Sequence, residues 1–342
     1  MADVKDKPQI RRVVPAAAIA GGEILIEGSG FNHGRRAQVK FGETPASVSI
    51  AADHFLLATV PQNTAEKSVR VLTGFGESAP ATIELAAPVA DNLHPVANPA
   101  VDAHGNVYVT FSGQRGQKVP IAIYKICPDS TIKPFVGDLM NATGLALDSS
   151  GQLYVSSRYD GVVYLVTPEG RKTVYAEGMG IATGVAFDAE ENLYVGDRSG
   201  TIFRVGRDRQ IFVFATLEPS VAAFHLAFGP DQQLYVTGPT TSSHDCVYRI
   251  ASSGQVAVYY RGLGRPQGLA FDSEGNLYLA ASYQGRRGIL RLRSGGEPEL
   301  VISGPNLVGL AFAPPPSGGL FLATTNALYS LPWPVAGLLP RR

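Results

Sequence analysis

His225 is the residue best suited to chemistry in this 342-residue chain. An imidazole exchanges a proton near neutral pH, and a carboxylate beside it would orient the ring for general-base work. Asp197, one copy of an internal repeat earlier, could supply that carboxylate. The plainer expectation carries more weight: His225 replaces a glycine of the other copies, fills the space and bonds a backbone carbonyl. Arg198, adjacent to Asp197, would then simply neutralise it. Arg158, Tyr159, Gln267 and Tyr283 complete a possible ligand-binding set. Arginine would hold a carboxylate or phosphate bidentately, tyrosine would stack or donate, and Asp197 would accept from hydroxyls. There is no Gly-x-Ser-x-Gly elbow, phosphate loop or Cys/His pairing. His33 and His54 have no partners at metal-ligand spacing. Cys127 and Cys246 fall in repeats three apart, so two free thiols are expected and catalytic residues remain unassigned beyond the weak pair His225 and Asp197.

The repeat positions these residues. Its clearest copy is Gly268-Leu-Ala-Phe-Asp272-Ser-Glu-Gly-Asn-Leu-Tyr278-Leu, and relatives begin at Asn98, Gly144, Gly184, His225 and Gly309. The marker residues Asp102, Asp148, Asp188, Gly229, Asp272 and Ala313 follow one another at 40–46 residues. That period, with short runs rich in Val, Tyr, Phe and Ile between Gly, Pro, Asp and Ser, predicts an all-β propeller of six blades. Alanine stands two residues before every marker, flanked by bulky residues such as Leu269 and Phe271. Side chains alternate across a strand, so each inner strand has one small and one large face, as packing around an axis requires. The recurring Asp is read as a turn former rather than an acidic site, because it holds one place in the repeat and accepts bonds from nearby backbone N–H groups.

The region before the repeats differs. Ile10–Val14, Ile24–Glu27, Gln38–Phe41, Ser47–Ile50, Phe55–Thr59, Ser68–Leu72 and Thr82–Leu85 read as about seven short strands, the pattern of an Ig-like sandwich. The expected domains are 8–87 and 88–342. Closing a propeller removes its sheet edges. The last repeat lacks a fourth strand after Leu331, so the segment near Leu85–Val89 is expected to supply it. Net charge is zero, with 29 basic and 29 acidic residues, and nothing suggests nucleic acid. No run approaches a membrane span, and Ala16–Ala20 is too short for a signal core. A cytoplasmic location is expected on that ground, with export left open.

Two resemblances add to this. Gly22-Glu-Ile-Leu-Ile-Glu-Gly-Ser-Gly-Phe31, Val39-Lys-Phe-Gly42 and Val60-Pro61 resemble the IPT/TIG family of Ig-like domains, which implies a spacer, dimerisation or adhesion module. Pro-x-Gly-Leu-Ala-Phe-Asp-x-x-Gly-Asn-Leu-Tyr, at Pro266–Tyr278, resembles the NHL and SMP-30/gluconolactonase propellers. The lactonase likeness implies one divalent cation (Ca, Mg or Zn) held by Glu, Asn and Asp, polarising a lactone carbonyl. Here Ala97, Thr183 and Gln267 fall at those places (a one-residue slip would bring in Asn98), so both carboxylates are missing and no cofactor is expected. The same likeness puts the loops before each inner strand and after each second strand on one face. Its rim mixes eight basic residues, among them Arg115, Lys118, Arg286 and Arg287, with seven acidic ones, among them Asp138 and Asp245. The chain reads as a non-catalytic scaffold binding a small polar ligand or a protein partner on this loop face. Arg158, Tyr159, Asp197, Arg198, His225, Gln267 and Tyr283 are the expected contacts. The alternatives are a divergent lactone or ester hydrolase and a lyase with a histidine base.

Overall fold

The computed structural model describes residues 7–32, 36–114, 116–242, 244–314 and 318–338. His33 and Arg115 lie outside them. Every element among the described residues is a strand, and the chain divides into two compact units.

The described residues of the first unit are 7–32 and 36–87 with 284–290 and 299–305. Its eight-stranded sheet runs in the order Gln9–Val14, Glu23–Ser29, Phe55–Thr59, Thr44–Ala51, Gln38–Phe41, Ser68–Thr73, Gly76–Glu77, with Ala81–Thr82 also paired to Ser68–Thr73. Alternation drives the folding of this sheet on itself: Ile24 and Ile26 from one half meet Val39, Phe41, Val69 and Val71 from the other in one core. The Gly-Ser-Gly-Phe turn has a local reason. A Cβ on Gly28 would stand 1.9 Å from the Gln9 carbonyl oxygen and 2.5 Å from the Phe31 ring, and Phe31 is fully buried. The small apolar run near residue 17 is also a strand: Ala17–Ala18 pairs in parallel with both Glu84–Leu85 and Glu299–Ser303. Arg286 is half-buried here and donates from Nη2 to the carbonyls of Val14, at 2.8 Å, and Glu23, at 3.0 Å. It therefore serves as a backbone clamp rather than as a free cation of a binding rim.

The described residues of the second unit fall within 88–283, 291–298 and 306–338. Four of its repeats form four-stranded sheets in simple chain order, in a propeller-like arrangement. The second, for example, runs Ala142–Leu147, Leu153–Ser157, Val162–Val166, Lys172–Ala176. The sixth repeat contributes Leu307–Phe312, Leu320–Thr324 and Leu328–Leu331, and Ala87–Ala90 completes its sheet against Leu328–Leu331, as the closure expectation required. The fifth repeat departs from the pattern. Its strands Leu269–Phe271 and Leu277–Tyr283 pair antiparallel, while residues 284–290 and 299–305 group with the first unit.

The conserved form of the repeat follows from two contacts. The second-strand tyrosine packs edge-on against the inner-strand phenylalanine of the next copy: Tyr154 on Phe187, Tyr194 on Phe228 and Tyr235 on Phe271, with centroids 4.8–5.0 Å apart. The marker aspartate is consumed by its own turn. Asp102 Oδ1 accepts from the amides of His104 and Asn106, and its Oδ2 from Asn106 Nδ2 and Tyr108 Oη. Asp148 and Asp272 repeat the amide bonds. In the fourth copy the marker is Gly229, and Asp231 takes the tyrosine bond from Tyr235, at 3.0 Å. Removing that hydroxyl in Tyr235→Phe should cost about 1 kcal/mol in urea unfolding; an unchanged midpoint would show that the bond is spent equally on water.

Candidate functional site

Glycine lets the inner strands crowd together at their starting end. A Cβ on Gly144 would stand 2.3 Å from the Thr183 carbonyl oxygen, and one on Gly184 would stand 2.4 Å from that of Phe224. The residues just before the repeat starts are correspondingly sealed: Ala97, Thr143, Thr183, Phe224 and Val308 are all buried. Thr183 Oγ1 donates to the Gly196 carbonyl, at 2.8 Å, and accepts from the Phe224 amide, at 3.1 Å. This end of the ring is packed.

Further along the inner strands the unit forms an open cavity of about 380 Å³. Its wall is mostly apolar, from residues such as Leu145, Val185, Leu226 and Phe312, and Gly337 and Leu338 of the C-terminal segment join it. That segment is anchored by bonds from Leu338 N to the Phe271 carbonyl and from Ser273 N to the Ala336 carbonyl. The exposed residues Ser149, Ala189 and Gln232 belong to the lining, so the mouth lies where the inner strands finish and turn.

The residues of the two copies that lack glycine at the repeat start, Asn98 and His225, both belong to the lining. The Asn98 amide bridges neighbouring inner strands: Nδ2 donates to the Leu269 carbonyl, at 2.8 Å, and Oδ1 accepts from the Leu310 amide, at 3.1 Å. His225 is 3 % exposed, and its Nε2 has no hydrogen-bond partner among the described residues. Burial lowers its pKa from the ordinary 6.5 to about 4, because a charged imidazolium would lose its hydration. The ring is neutral at pH 7. Nε2 can then accept or donate according to tautomer.

The other residues expected to bind ligand are not gathered at this cavity. Asp197 is buried; its Oδ1 accepts from the amides of Ile181 and Ser199, and its Oδ2 from Ser199 Oγ. No hydrogen bond or ion pair joins it to His225 among the described residues. Arg198 Nε donates to the Ser220 carbonyl, at 3.3 Å, and Arg158 Nη2 to that of Gly113, at 3.4 Å. Tyr159 is exposed. The Gln267 carbonyl accepts from Thr237 Oγ1, at 2.6 Å. Tyr283 Oη donates to Glu297 Oε2, at 3.0 Å, as does Tyr260 Oη. Asp245 is buried and fastens its loop by accepting from the amide and hydroxyl of Thr240. Cys127 and Cys246 are free thiols. No group of three or more His, Cys, Asp or Glu residues able to hold a metal ion occurs among the described residues.

The mouth holds two residues that reading the sequence for chemistry passed over. Glu191 and Gln232 occupy the turn place where Gly105, Gly151 and Gly275 stand in other copies, and both keep the left-handed backbone, with φ of 65° and 58°. Side chains resist that conformation. The exchange of glycine for a polar residue at a left-handed turn position was the available signal. No lysine or arginine lines the cavity among the described residues, whereas Asp188 and Glu191 do.

Comparison with known proteins agrees with this architecture. Residues 8–82 match the family model of the IPT/TIG domain. No curated protein matches the chain. Among solved structures, a protein described as a putative gluconolactonase is 18 % identical with a TM-score of 0.61, over 74 % of this chain and 93 % of that one. A luciferin-regenerating enzyme is 16 % identical with a TM-score of 0.59, over 75 % and 98 %. An auxiliary nutrient binding protein from Bacteroides ovatus is 13 % identical with a TM-score of 0.53, over 98 % and 99 %. These likenesses concern the fold.

Proposed function

We propose that the chain is a ligand-binding scaffold: an Ig-like accessory module with a six-bladed propeller of the NHL/SMP-30 pattern, which holds a small molecule in its central cavity. One observation carries this reading. A pocket of about 380 Å³, within the roughly 300–1,000 Å³ typical of small-molecule sites, lies along the inner strands with a mostly apolar lining that includes His225. The auxiliary nutrient binding protein among the structural neighbours is consistent with a binding role on such a fold.

Hydrolysis through a hard cation draws less support. Ala97, Thr183 and Gln267 present no carboxylate, and the Thr183 hydroxyl already bonds on both sides. A small apolar probe tests the binding reading. Naphthalene should bind one equivalent in equilibrium dialysis, and filling the cavity in Ala227→Phe or Ala270→Phe should abolish it. Absence of saturable binding, or binding untouched by both substitutions, would remove the cavity as the site. Lactone and ester turnover with added Ca²⁺, Mg²⁺ or Zn²⁺ should stay at background; metal-dependent turnover would favour the hydrolase instead.

A further inference from the structure

We propose that the outer strand Ile211–Thr216 is a self-association edge, where two copies of this chain pair antiparallel about a two-fold axis. Four sheets of the second unit end in such a strand: Ile132–Gly137, Lys172–Ala176, Ile211–Thr216 and Val256–Leu263. An open edge offers unpaired backbone groups, and proteins guard edges with charge or proline. The pairing registers align the four strands place for place. Their first three residues read Ile-Lys-Pro at 132–134, Lys-Thr-Val at 172–174 and Val-Ala-Val at 256–258. At 211–213 they read Ile-Phe-Val, with neither charge nor proline. Ile211, Phe212 and Val213 are 38 %, 53 % and 66 % exposed, whereas each of the other three strands has one exposed large apolar residue: Ile132, Val174 and Val258.

The backbone of this edge complements itself. Gly206 N donates to the Gln210 carbonyl where the strand leaves its turn, at 2.9 Å. Ladder bonds alternate along an antiparallel pair. Phe212, opposite Arg204, therefore bonds inward, and Ile211 and Val213 turn their N–H and C=O outward. Pro134 stands at the Val213 place in the first sheet, which a proline can hold because the ladder needs no N–H there. Beyond Val213 the edge is shut: a Cβ on Gly254 of the next sheet would stand 2.5 Å from the Phe214 carbonyl oxygen. A second copy fits this short stretch with the two Phe212 residues on the axis. Each Ile211 then lies opposite the other copy's Val213, and the pair exchanges both backbone bonds.

The ends match in charge. Exposed Arg207 precedes the strand and exposed Glu218 follows it, and neither has an ion-pair partner among the described residues. Antiparallel pairing brings the Arg207 end of each copy to the Glu218 end of the other. An isologous contact needs one patch that fits itself, and this edge supplies the backbone pattern, the apolar residues and both charges. The open stretch is short, so the association is weak; contacts burying less than about 1,200 Å² belong to transient complexes.

Sedimentation of the full chain from ~5 to ~500 µM tests this. The average mass should rise with concentration from that of a monomer towards that of a dimer. Ile211→Lys with Phe212→Thr copies the second sheet and should leave a monomer throughout. Val213→Pro copies the first sheet, removes one outward donor from each copy and should weaken dimerisation about tenfold or more. Hydrogen exchange followed by NMR reads the register. The amides of Ile211 and Val213 should slow as concentration rises, while that of Phe212, already in the ladder, should not change. A monomer over the whole range, a dimer that both variants retain, or exchange at Ile211 and Val213 that ignores concentration would overturn the pairing.

Discussion

Acidification from pH 7 to pH 4 should remove about 3 kcal/mol of stability through His225 alone, on the scale of 1.36 kcal/mol per pKa unit. The folded-state pKa is lowered by burial to about 4 from 6.5. Between those values the unfolded chain binds a proton that the folded chain refuses, so stability rises with pH across this window and is lost as pH falls through it. The contribution is complete above about 6.5. His225→Leu and His225→Gly should flatten the slope between pH 6.5 and 4, whatever they do to stability at pH 7. Urea unfolding at half-unit pH intervals reads this directly. A wild-type slope that both variants retain would place the acid sensitivity elsewhere.

Gly184→Ala should be strongly disruptive among the inner strands. The added carbon would meet the Phe224 carbonyl oxygen at 2.4 Å, the Leu226 side chain at 2.9 Å and the His225 Cα at 3.0 Å. Two of those neighbours are backbone, so relief requires adjacent inner strands to separate. Overpacking of this kind costs about 1–3 kcal/mol or more, and a melting temperature lower by about 4–10 °C is expected. Gly151→Ala is the matched control. Gly151 has φ of +83° and open space around its Cβ position, so that change should cost about 1 kcal/mol, from backbone conformation alone. Calorimetry should therefore rank Gly184→Ala well below Gly151→Ala; the reverse order would mean that the inner strands yield easily.

The all-β class and the repeat were legible because their signals are local and periodic. Alanine holds the Ala270 place in all six copies, and aspartate holds the Asp272 place in four of them. The closing strand was legible for the same cause: a missing fourth strand after Leu331 needs a donor, and Ala87–Ala90 is that donor. Ala17–Ala18 escaped notice because two alanines carry no alternation, and its pairing depends on Glu299–Ser303, almost three hundred residues away. The departure of the fifth repeat has the same long-range origin. Arg286 looked like rim chemistry, yet its guanidinium satisfies two carbonyls of the first unit. The binding residues expected on the loop face mostly spend their polar groups on nearby backbone. Where a cavity would open could not be read from residue types, because it depends on which end of the inner strands packs closed.

The strand Ala87–Ala90 has a consequence for how the protein is made. Its partner Leu328–Leu331 leaves the ribosome only after almost all of the intervening repeats, and at about 5–20 residues per second that interval lasts roughly ten to fifty seconds. For that time the early sheets exist as an open arc, with the first strand of the ring waiting unpaired while later copies emerge. A nascent chain in this state presents a sheet edge to every neighbouring copy on the same polysome.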